Sequence, residues 1–234
     1  MKTYESIQLV TFLERPNRFI ASCEKNDGEV IRVHVKNTGR CQELLIPGVL
    51  VAVNHQPFSH RKTHYDLVAV NKQGAWFNID SQLPNKLVLQ GLRDGVITLS
   101  QIKGNVINIQ PEYTYGESRF DFFIETDRDE KILVEVKGMT LEHDEIGYFP
   151  DAPTLRGLKH VEGLLQASKE GFKVGVIFIA QFETIKYGQI NEEIQPELAS
   201  VIALGQKQDN LFVTIYNCHV TPSTVTIIEE KPFR

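Results

Sequence analysis

The sequence has few of the features that mark secreted or membrane-spanning proteins. Its three cysteines, Cys23, Cys41 and Cys218, are odd in number and far apart, which excludes a disulfide framework and the paired spacing of a zinc knuckle. No apolar run approaches the ~18 residues of a membrane span. The N-terminus also lacks a basic start followed by an apolar stretch. These absences predict a cytoplasmic protein with no membrane span, whose cysteines are small buried apolar residues.

Positive charge is also scarce. The net charge is -5 at pH 7 and the isoelectric point is about 5.8, which argues against indiscriminate binding of polyanions. Residues 1–72 carry 10 basic and 7 acidic side chains, whereas the rest of the chain carries 15 and 23. This distribution suits a protein that grips a polyanion with its first part and binds metal with its second, although chance can produce it too. An oligomer is compatible with the sequence, but no pattern specifies one.

The chain changes its pattern near residue 80. Residues 1–80 contain several short segments typical of strands, such as the alternating segment 30–35, separated by turn-forming residues. From residue 81, predicted helices at about 81–91, 153–169 and 193–204 are mixed with strands, and the apolar segment 173–180 predicts a strand buried on both faces. The predicted fold class is therefore α+β, with a small β-barrel or curled sheet at 1–80 and a mixed α/β domain at 81–234.

The most informative segment is a predicted hairpin at residues 119–137. If its charged turn is centred on Arg128, Asp121 lies opposite Glu135 and Arg119 lies opposite Lys137. A single register shift would mix acidic and apolar side chains, so the clean separation of faces supports this pairing. One face is then wholly apolar and contains Phe120, Phe122, Ile124, Ile132, Val134 and Val136.

The predicted register places two carboxylates with their Cβ atoms roughly 5 Å apart. Like charges at this separation raise each other's pKa, and a divalent cation between them relieves the repulsion. Mg²⁺ and Mn²⁺ prefer such oxygen ligands, and Lys137 on the same face is placed to stabilise charge on a phosphate. The alternative is a solvated strand face on which Arg119 pairs with Glu135 and Asp121 pairs with Lys137.

Two resemblances give this hairpin a context. The pattern Asp-(x13)-Glu-x-Lys across two strands, followed by a helix and a buried strand, resembles the PD-(D/E)xK nuclease superfamily. Longer blocks of the chain are more specific: NRF (17–19), HVKNTGRCQELLIPG (34–48), LPNKL (83–87), YGESRFDF (115–122), VEVKGMTL (134–141) and FPDAPTLRGLKHVEGL (149–164). In matching order, these blocks resemble the sugar fermentation stimulation protein A family. This resemblance implies an OB-fold-like barrel joined to a PD-(D/E)xK nuclease-like domain, with DNA as the partner.

The nuclease pattern also implies roles for individual residues. Asp121 and Glu135 match the metal carboxylates and Lys137 matches the motif lysine, so these three are the implied catalytic residues. An acidic residue ahead of the hairpin often completes such a metal site. Glu112 is the first candidate for it and Glu117 the second, because spacing fixes neither.

Basic and aromatic residues of both parts are candidates for contacts with DNA. Basic side chains would bind phosphates, and three of them share a face of the helix at 153–169 by their i, i+3 and i+4 spacing. The basic candidates are Arg18, Lys36, Arg40, Arg119, Arg156, Lys159 and His160. The aromatic candidates for base stacking, each with core packing as the alternative, are Phe19, Phe58, Tyr65 and Trp76.

The sequence therefore predicts a DNA-binding protein with a nuclease-type site for Mg²⁺ or Mn²⁺ that hydrolyses phosphodiester bonds. The alternative is a non-enzymatic, DNA-binding regulator of sugar fermentation (maltose-type) genes, in which the nuclease core serves as a scaffold. A third hypothesis has both domains binding protein or a small molecule. Gly138-Met139 departs from the polar residue and valine expected after Lys137, but the three motif residues are intact.

Overall fold

The computed structural model describes residues 3–37, 39–57, 63–99 and 101–234. Its elements in chain order are β1 (Ile7–Asn17), β2 (Ile20–Glu24), β3 (Val30–Val35), β4 (Leu50–His55), β5 (Tyr65–Lys72), β6 (Ala75–Asn78), α1 (Leu83–Arg93), β7 (Val106–Tyr115), β8 (Ser118–Thr126), β9 (Lys131–Met139), β10 (Leu141–His143), β11 (Ile146–Phe149), α2 (Leu155–Ser168), β12 (Lys173–Ala180), β13 (Tyr187–Ile190), α3 (Pro196–Lys207), β14 (Phe212–Val220) and β15 (Val225–Lys231). Within these described ranges, no helix has both the length and the apolar character needed to cross a membrane.

The first five strands form a closed, OB-like barrel, as the sequence predicts. Antiparallel pairing follows the order β3-β2-β1-β4-β5, and a parallel pairing of β3 with β5 closes the barrel. Side chains that alternate along the strands, such as Val10, Phe12 and Val33, fill its interior. The strands β1 and β2 are not evident in the sequence, because most side chains of the long strand β1 are exposed or half-buried.

The three cysteines are free and buried, which confirms that they act as small apolar residues. Cys23 and Cys41 lie in the core cluster that includes the barrel interior, and Cys218 lies in β14 of the second domain. Burial raises the pKa of each thiol to about 12. The thiols are therefore protonated and poorly nucleophilic at neutral pH.

The second domain is built on a mixed six-stranded sheet in the order β15-β14-β12-β9-β8-β7. Strand β12 pairs in parallel with both β9 and β14 and is almost entirely buried, as predicted. Helices α2 and α3 pack against one face of the sheet, and α1 packs on the other. A small third sheet, β10-β11-β13, is not evident in the sequence, because its strands have only three or four residues each.

The predicted hairpin register is confirmed, with Phe122 opposite Val134 and Ile124 opposite Ile132. The predicted face is wrong at Phe120, which packs with the α2 side of the sheet while Phe122 packs on the α1 side. The reason is that the ladder between β8 and β9 ends at Phe122. The residue before it, Asp121, accepts a hydrogen bond from the backbone N–H of Val136 at 2.7 Å. Asp121 therefore lies where the two strands separate.

A buried polar network joins the barrel to the second domain. The Asn78 amide donates to the Tyr4 hydroxyl at 2.8 Å, and its oxygen accepts from Gln181 Nε2 at 2.6 Å. Gln181 Nε2 also donates to the carbonyl of Asp80 at 3.1 Å. Because these groups are buried with their hydrogen bonds made, any sliding of one domain over the other would leave them unsatisfied.

The close packing of the central sheet gives a first prediction. A Cβ atom added to Gly175 of β12 would lie 2.0–2.3 Å from ring carbons of Phe212. We expect Gly175→Ala to lower the free energy of unfolding by roughly 1–3 kcal/mol through overpacking. Denaturant unfolding of this variant, of Phe212→Leu and of the double variant measures the coupling between the two residues. The double variant should lose less unfolding free energy than the two single variants lose in sum. Strict additivity would contradict the packing described.

Candidate functional site

A cleft of about 800 Å³ lies between the barrel and the second domain. Its walls come from barrel residues such as Asn37 and from the segment 149–154, and its floor comes from the start of α1 and the end of β9. A volume of this order is typical of pockets that hold a small ligand or one group of a larger ligand. All three implied catalytic residues, Asp121, Glu135 and Lys137, line this cleft.

Both oxygens of Asp121 accept hydrogen bonds. Oδ1 accepts from Asn85 Nδ2 at 2.6 Å, and Oδ2 accepts from the backbone N–H of Val136 at 2.7 Å. Burial, and then the charge of Glu135, raise the pKa of Asp121 above its usual value. The two carboxylates therefore interact unfavourably in the cleft, as predicted for two facing acidic groups.

Glu135 is almost completely buried, with 2% of its surface exposed. Its Oε1 accepts from Lys137 Nζ at 2.5 Å and from His160 Nδ1. Burial alone would raise the pKa of Glu135, but the hydrogen bond from His160 and the charge of Lys137 hold it below its usual value. The other oxygen, Oε2, is buried and has no hydrogen-bond partner in the described part of the chain. A buried anionic oxygen without a partner is costly and calls for a cationic or donor group.

His160 positions Glu135 rather than facing solvent. His160 Nδ1 lies within hydrogen-bond distance of Glu135 Oε1, and Arg156 Nε lies 3.4 Å from His160 Nε2. The ring is 8% exposed. His160 therefore supports the carboxylate from behind, and Arg156 and Gly157 of the same helix line the cleft. A contact of His160 with DNA stays a prediction.

The residues present fit a cation held by two carboxylates. Among the described residues, no group of three or more His, Cys, Asp and Glu is arranged to hold a metal ion. Glu112 lines the cleft, but its Oε2 accepts from Arg119 Nε at 2.9 Å, and Glu117 lies 3.7 Å from Lys159. Mg²⁺ commonly binds one or two carboxylates and completes its shell with water and substrate phosphate. The unpartnered Glu135 Oε2 is the protein oxygen that such a cation would satisfy.

Some of the predicted basic residues lie at the cleft and others do not. Arg18 and Arg156 are exposed and line it, and Arg40 lies in an adjoining groove. Arg119 is at the rim, where it is paired with Glu112. Lys36 pairs with two carboxylates: its Nζ is 2.8 Å from an oxygen of Asp80 and 3.6 Å from one of Asp66, both buried. A contact of Lys36 with DNA stays a prediction. Lys159 lines a different groove, between α2 and the turn after β7.

The aromatic candidates for base stacking also differ in how exposed they are. Phe19 is 51% exposed, and the guanidinium of Arg18 lies 5.7 Å from its ring centre. Tyr65 and Trp76 are partly buried and pack against the two core clusters, as the core alternative predicts. Phe58 lies outside the described residues.

Several residues of the cleft are not predicted from the sequence. Asn85 and Lys86 bring the start of α1 to the two carboxylates, and Asp151 comes from the loop before α2. All three lie inside the blocks LPNKL and FPDAPTLRGLKHVEGL that carry the family resemblance. Those blocks were the available signal, but only the fold shows that they meet at the hairpin.

The raised pKa of Asp121 predicts that this residue destabilises the metal-free protein. The penalty for its ionised form develops as the pH rises above 3.8, its ordinary pKa. We expect Asp121→Asn to raise the melting temperature in EDTA at pH 7, since 1 kcal/mol corresponds to about 2–4 °C for a chain of this size. The control, Asp127→Asn, should lower it, because hydrogen bonds from Asn105 lower the pKa of Asp127. A lower melting temperature for Asp121→Asn would contradict the description of the pair.

Comparisons with known proteins agree with this architecture. The family model described as "SfsA N-terminal OB domain" matches residues 13–79, and the one described as "Sugar fermentation stimulation protein RE domain" matches residues 82–224. The structure is similar to that titled "The structure of Pyrococcus Furiosus SfsA in complex with Ca2+", with a TM-score of 0.85 and 24% identity, covering 100% of this chain and 99% of that one. This last likeness shows the fold.

Relatives with closer sequences support the same assignment. The chain is 50% identical over 230 residues to the sugar fermentation stimulation protein homolog of Enterococcus mundtii, covering 98% of this chain and 95% of the relative. It is 43% identical over 222 residues to the homolog of Desulfitobacterium hafniense strain Y51, covering 95% and 93%. Both matches span the barrel and the second domain. The chain therefore belongs to the sugar fermentation stimulation protein family.

Proposed function

We propose that this protein binds DNA and hydrolyses its phosphodiester bonds at a divalent-cation site formed by Asp121 and Glu135. The observation that carries the proposal is the buried Oε2 of Glu135, which has no partner among the described residues and shares a cleft with a second carboxylate. A cation would satisfy this oxygen and would also offset the two causes that raise the pKa of Asp121, its burial and the charge of Glu135. Mg²⁺ or Mn²⁺ suits this donor set.

The Pyrococcus furiosus structure is titled as a complex with Ca²⁺. Ca²⁺, like Mg²⁺, binds oxygen ligands. A cation in a structure with the same fold supports the proposal that this chain binds a divalent cation.

The residues around the carboxylates have complementary tasks. When bound, a divalent cation supplies Lewis acidity toward a phosphoryl oxygen of the substrate. Asn85 and the Val136 N–H fix the orientation of Asp121, and His160 fixes that of Glu135. Lys137 is the cationic side chain at the carboxylates, so it is placed to neutralise negative charge that develops on a phosphate.

The exposed cations at the cleft would hold the DNA backbone. Arg18 comes from the barrel, Lys86 from α1 and Arg156 from α2, so the three surround the carboxylates from different sides. Phosphate contacts of this kind orient a strand without reading its sequence. We propose the cytoplasm as the location, because three free cysteines suit a reducing compartment.

The test is cleavage of labelled single- and double-stranded DNA by the purified protein with Mn²⁺ or Mg²⁺. We expect Asp121→Ala and Glu135→Ala to abolish cleavage and Lys137→Ala to slow it about 100-fold or more, because each loses a group that acts on the reacting phosphate. Glu125→Ala and Lys131→Ala, at the opposite end of the same hairpin, are matched controls that should leave the rate unchanged.

The same samples distinguish the alternatives. Retention on DNA that weakens with salt, with no cleavage under any divalent cation, would favour the non-enzymatic regulator of sugar fermentation genes. Cleavage that survives Asp121→Ala and Glu135→Ala would refute the catalytic assignment. If no DNA is retained at low salt, both DNA hypotheses fail, and a protein or small-molecule ligand becomes the better explanation.

A further inference from the structure

The tip of the hairpin between β1 and β2 presents an arginine and an aromatic ring to solvent. Asn17 pairs with Ile20, so the loop consists of only Arg18 and Phe19. Asn17 Oδ1 accepts hydrogen bonds from the backbone N–H groups of Phe19 at 2.9 Å and Ile20 at 3.1 Å, which fixes the turn. A large apolar ring that is 51% exposed on a rigid turn is well placed to stack on a flat ligand, because little entropy is lost when it is covered.

A groove of about 610 Å³ runs beside this tip. It is continuous with the carboxylate cleft, because Arg18, Gly39, Ala152 and Pro153 line both. Three arginines, including Arg15 and Arg40, contribute to its lining, and none of the described residues that line it is acidic. The groove is therefore a positively charged extension of a cleft that holds the two carboxylates.

The charge of Arg15 is retained, although its hydrogen bonds are made within the protein. Its terminal nitrogens donate to the backbone carbonyls of Arg18, Asn37, Gly39 and Arg40, at distances of 2.7–2.9 Å. These acceptors are neutral, so the guanidinium keeps its positive charge next to the groove. The same bonds hold the β1–β2 tip and the loop after β3 together as one rigid wall.

The two walls of the path touch each other, which limits how far it can open. The backbone N–H of Arg40 donates to Asp151 Oδ2 at 3.0 Å. Gly39 lies so close that an added Cβ would be 2.3 Å from the same oxygen. The walls are in contact and Glu135 is only 2% exposed at the bottom of the cleft, so the carboxylates are recessed, which favours one flexible strand over a rigid duplex.

We propose that the groove and the cleft together form a path for one unpaired DNA strand. A base stacks on Phe19, Arg18 and Arg40 neutralise the adjacent phosphates, and the strand continues toward Asp121 and Glu135. A duplex is bound productively only where its strands have separated. The proposal rests on the proposed function, since it names the form of DNA that the same site takes.

The test measures binding by fluorescence anisotropy in EDTA, where a metal-dependent reaction cannot occur. The probes are a labelled oligothymidylate and a blunt hairpin duplex with no unpaired end. We expect the single strand to bind about 10-fold or more tightly than the duplex. Phe19→Ala should weaken single-strand binding roughly 5-fold or more, and Phe19→Trp should retain it, because stacking tolerates any large ring. Arg40→Gln should reduce the slope of log Kd against log salt by about 0.7.

Arg128→Gln, in the exposed turn between β8 and β9, is the matched charge control and should leave binding unchanged. Thermal melting shows that each variant is folded. Equal or tighter binding of the blunt duplex would overturn the proposal, and so would unaltered single-strand binding by Phe19→Ala. A preference for the single strand, without cleavage in Mn²⁺, would support the path and refute the nuclease reaction. Cleavage of the blunt duplex without that preference would support the nuclease reaction and refute the path. If neither probe binds, both proposals fail.

Discussion

The repulsion between two carboxylates that share one cleft is the constraint that the surrounding structure must meet. Asp121 has a raised pKa and Glu135 is nearly inaccessible to water. Asn85 from α1 and His160 from α2 reach them from different elements, and Lys137 supplies the adjacent positive charge. Even with these contacts, one buried oxygen has no partner in the described part of the chain. An arrangement that is unfavourable without a ligand is typical of a functional site rather than of a structural ion pair.

The barrel is part of this site rather than an independent attachment. Its network through Asn78 and Gln181 fixes how it sits on the sheet. The contact between Arg40 and Asp151 joins the two walls above the cleft. The barrel therefore shapes the entrance to the carboxylates, and the second domain supplies the carboxylates themselves. This division agrees with a family in which both parts occur together, as the two adjacent matches at 13–79 and 82–224 show.

The sequence predicts the closed barrel, the mixed second domain and the hairpin register, because these depend on local alternation and on a turn whose centre is marked by charge. It does not predict the side-chain partners, which depend on how distant segments meet. Phe120 changes face because Asp121 leaves the ladder to accept the Val136 N–H. The sequence predicts Lys36 and His160 as surface cations, but tertiary packing places them against buried carboxylates. Asn85 gave no signal apart from its place in the block LPNKL, since an asparagine near a helix start is ordinary.

The central claim is that Glu135 Oε2 and Asp121 together bind a divalent cation. The most direct measurement is anomalous diffraction from crystals grown with Mn²⁺. The account predicts an anomalous peak between the two carboxylates, with Mn–O contacts of about 2.1 Å to Glu135 Oε2 and to an oxygen of Asp121. A structure at saturating Mn²⁺ in which the ion binds elsewhere, and Glu135 Oε2 makes no contact with it, would contradict the account.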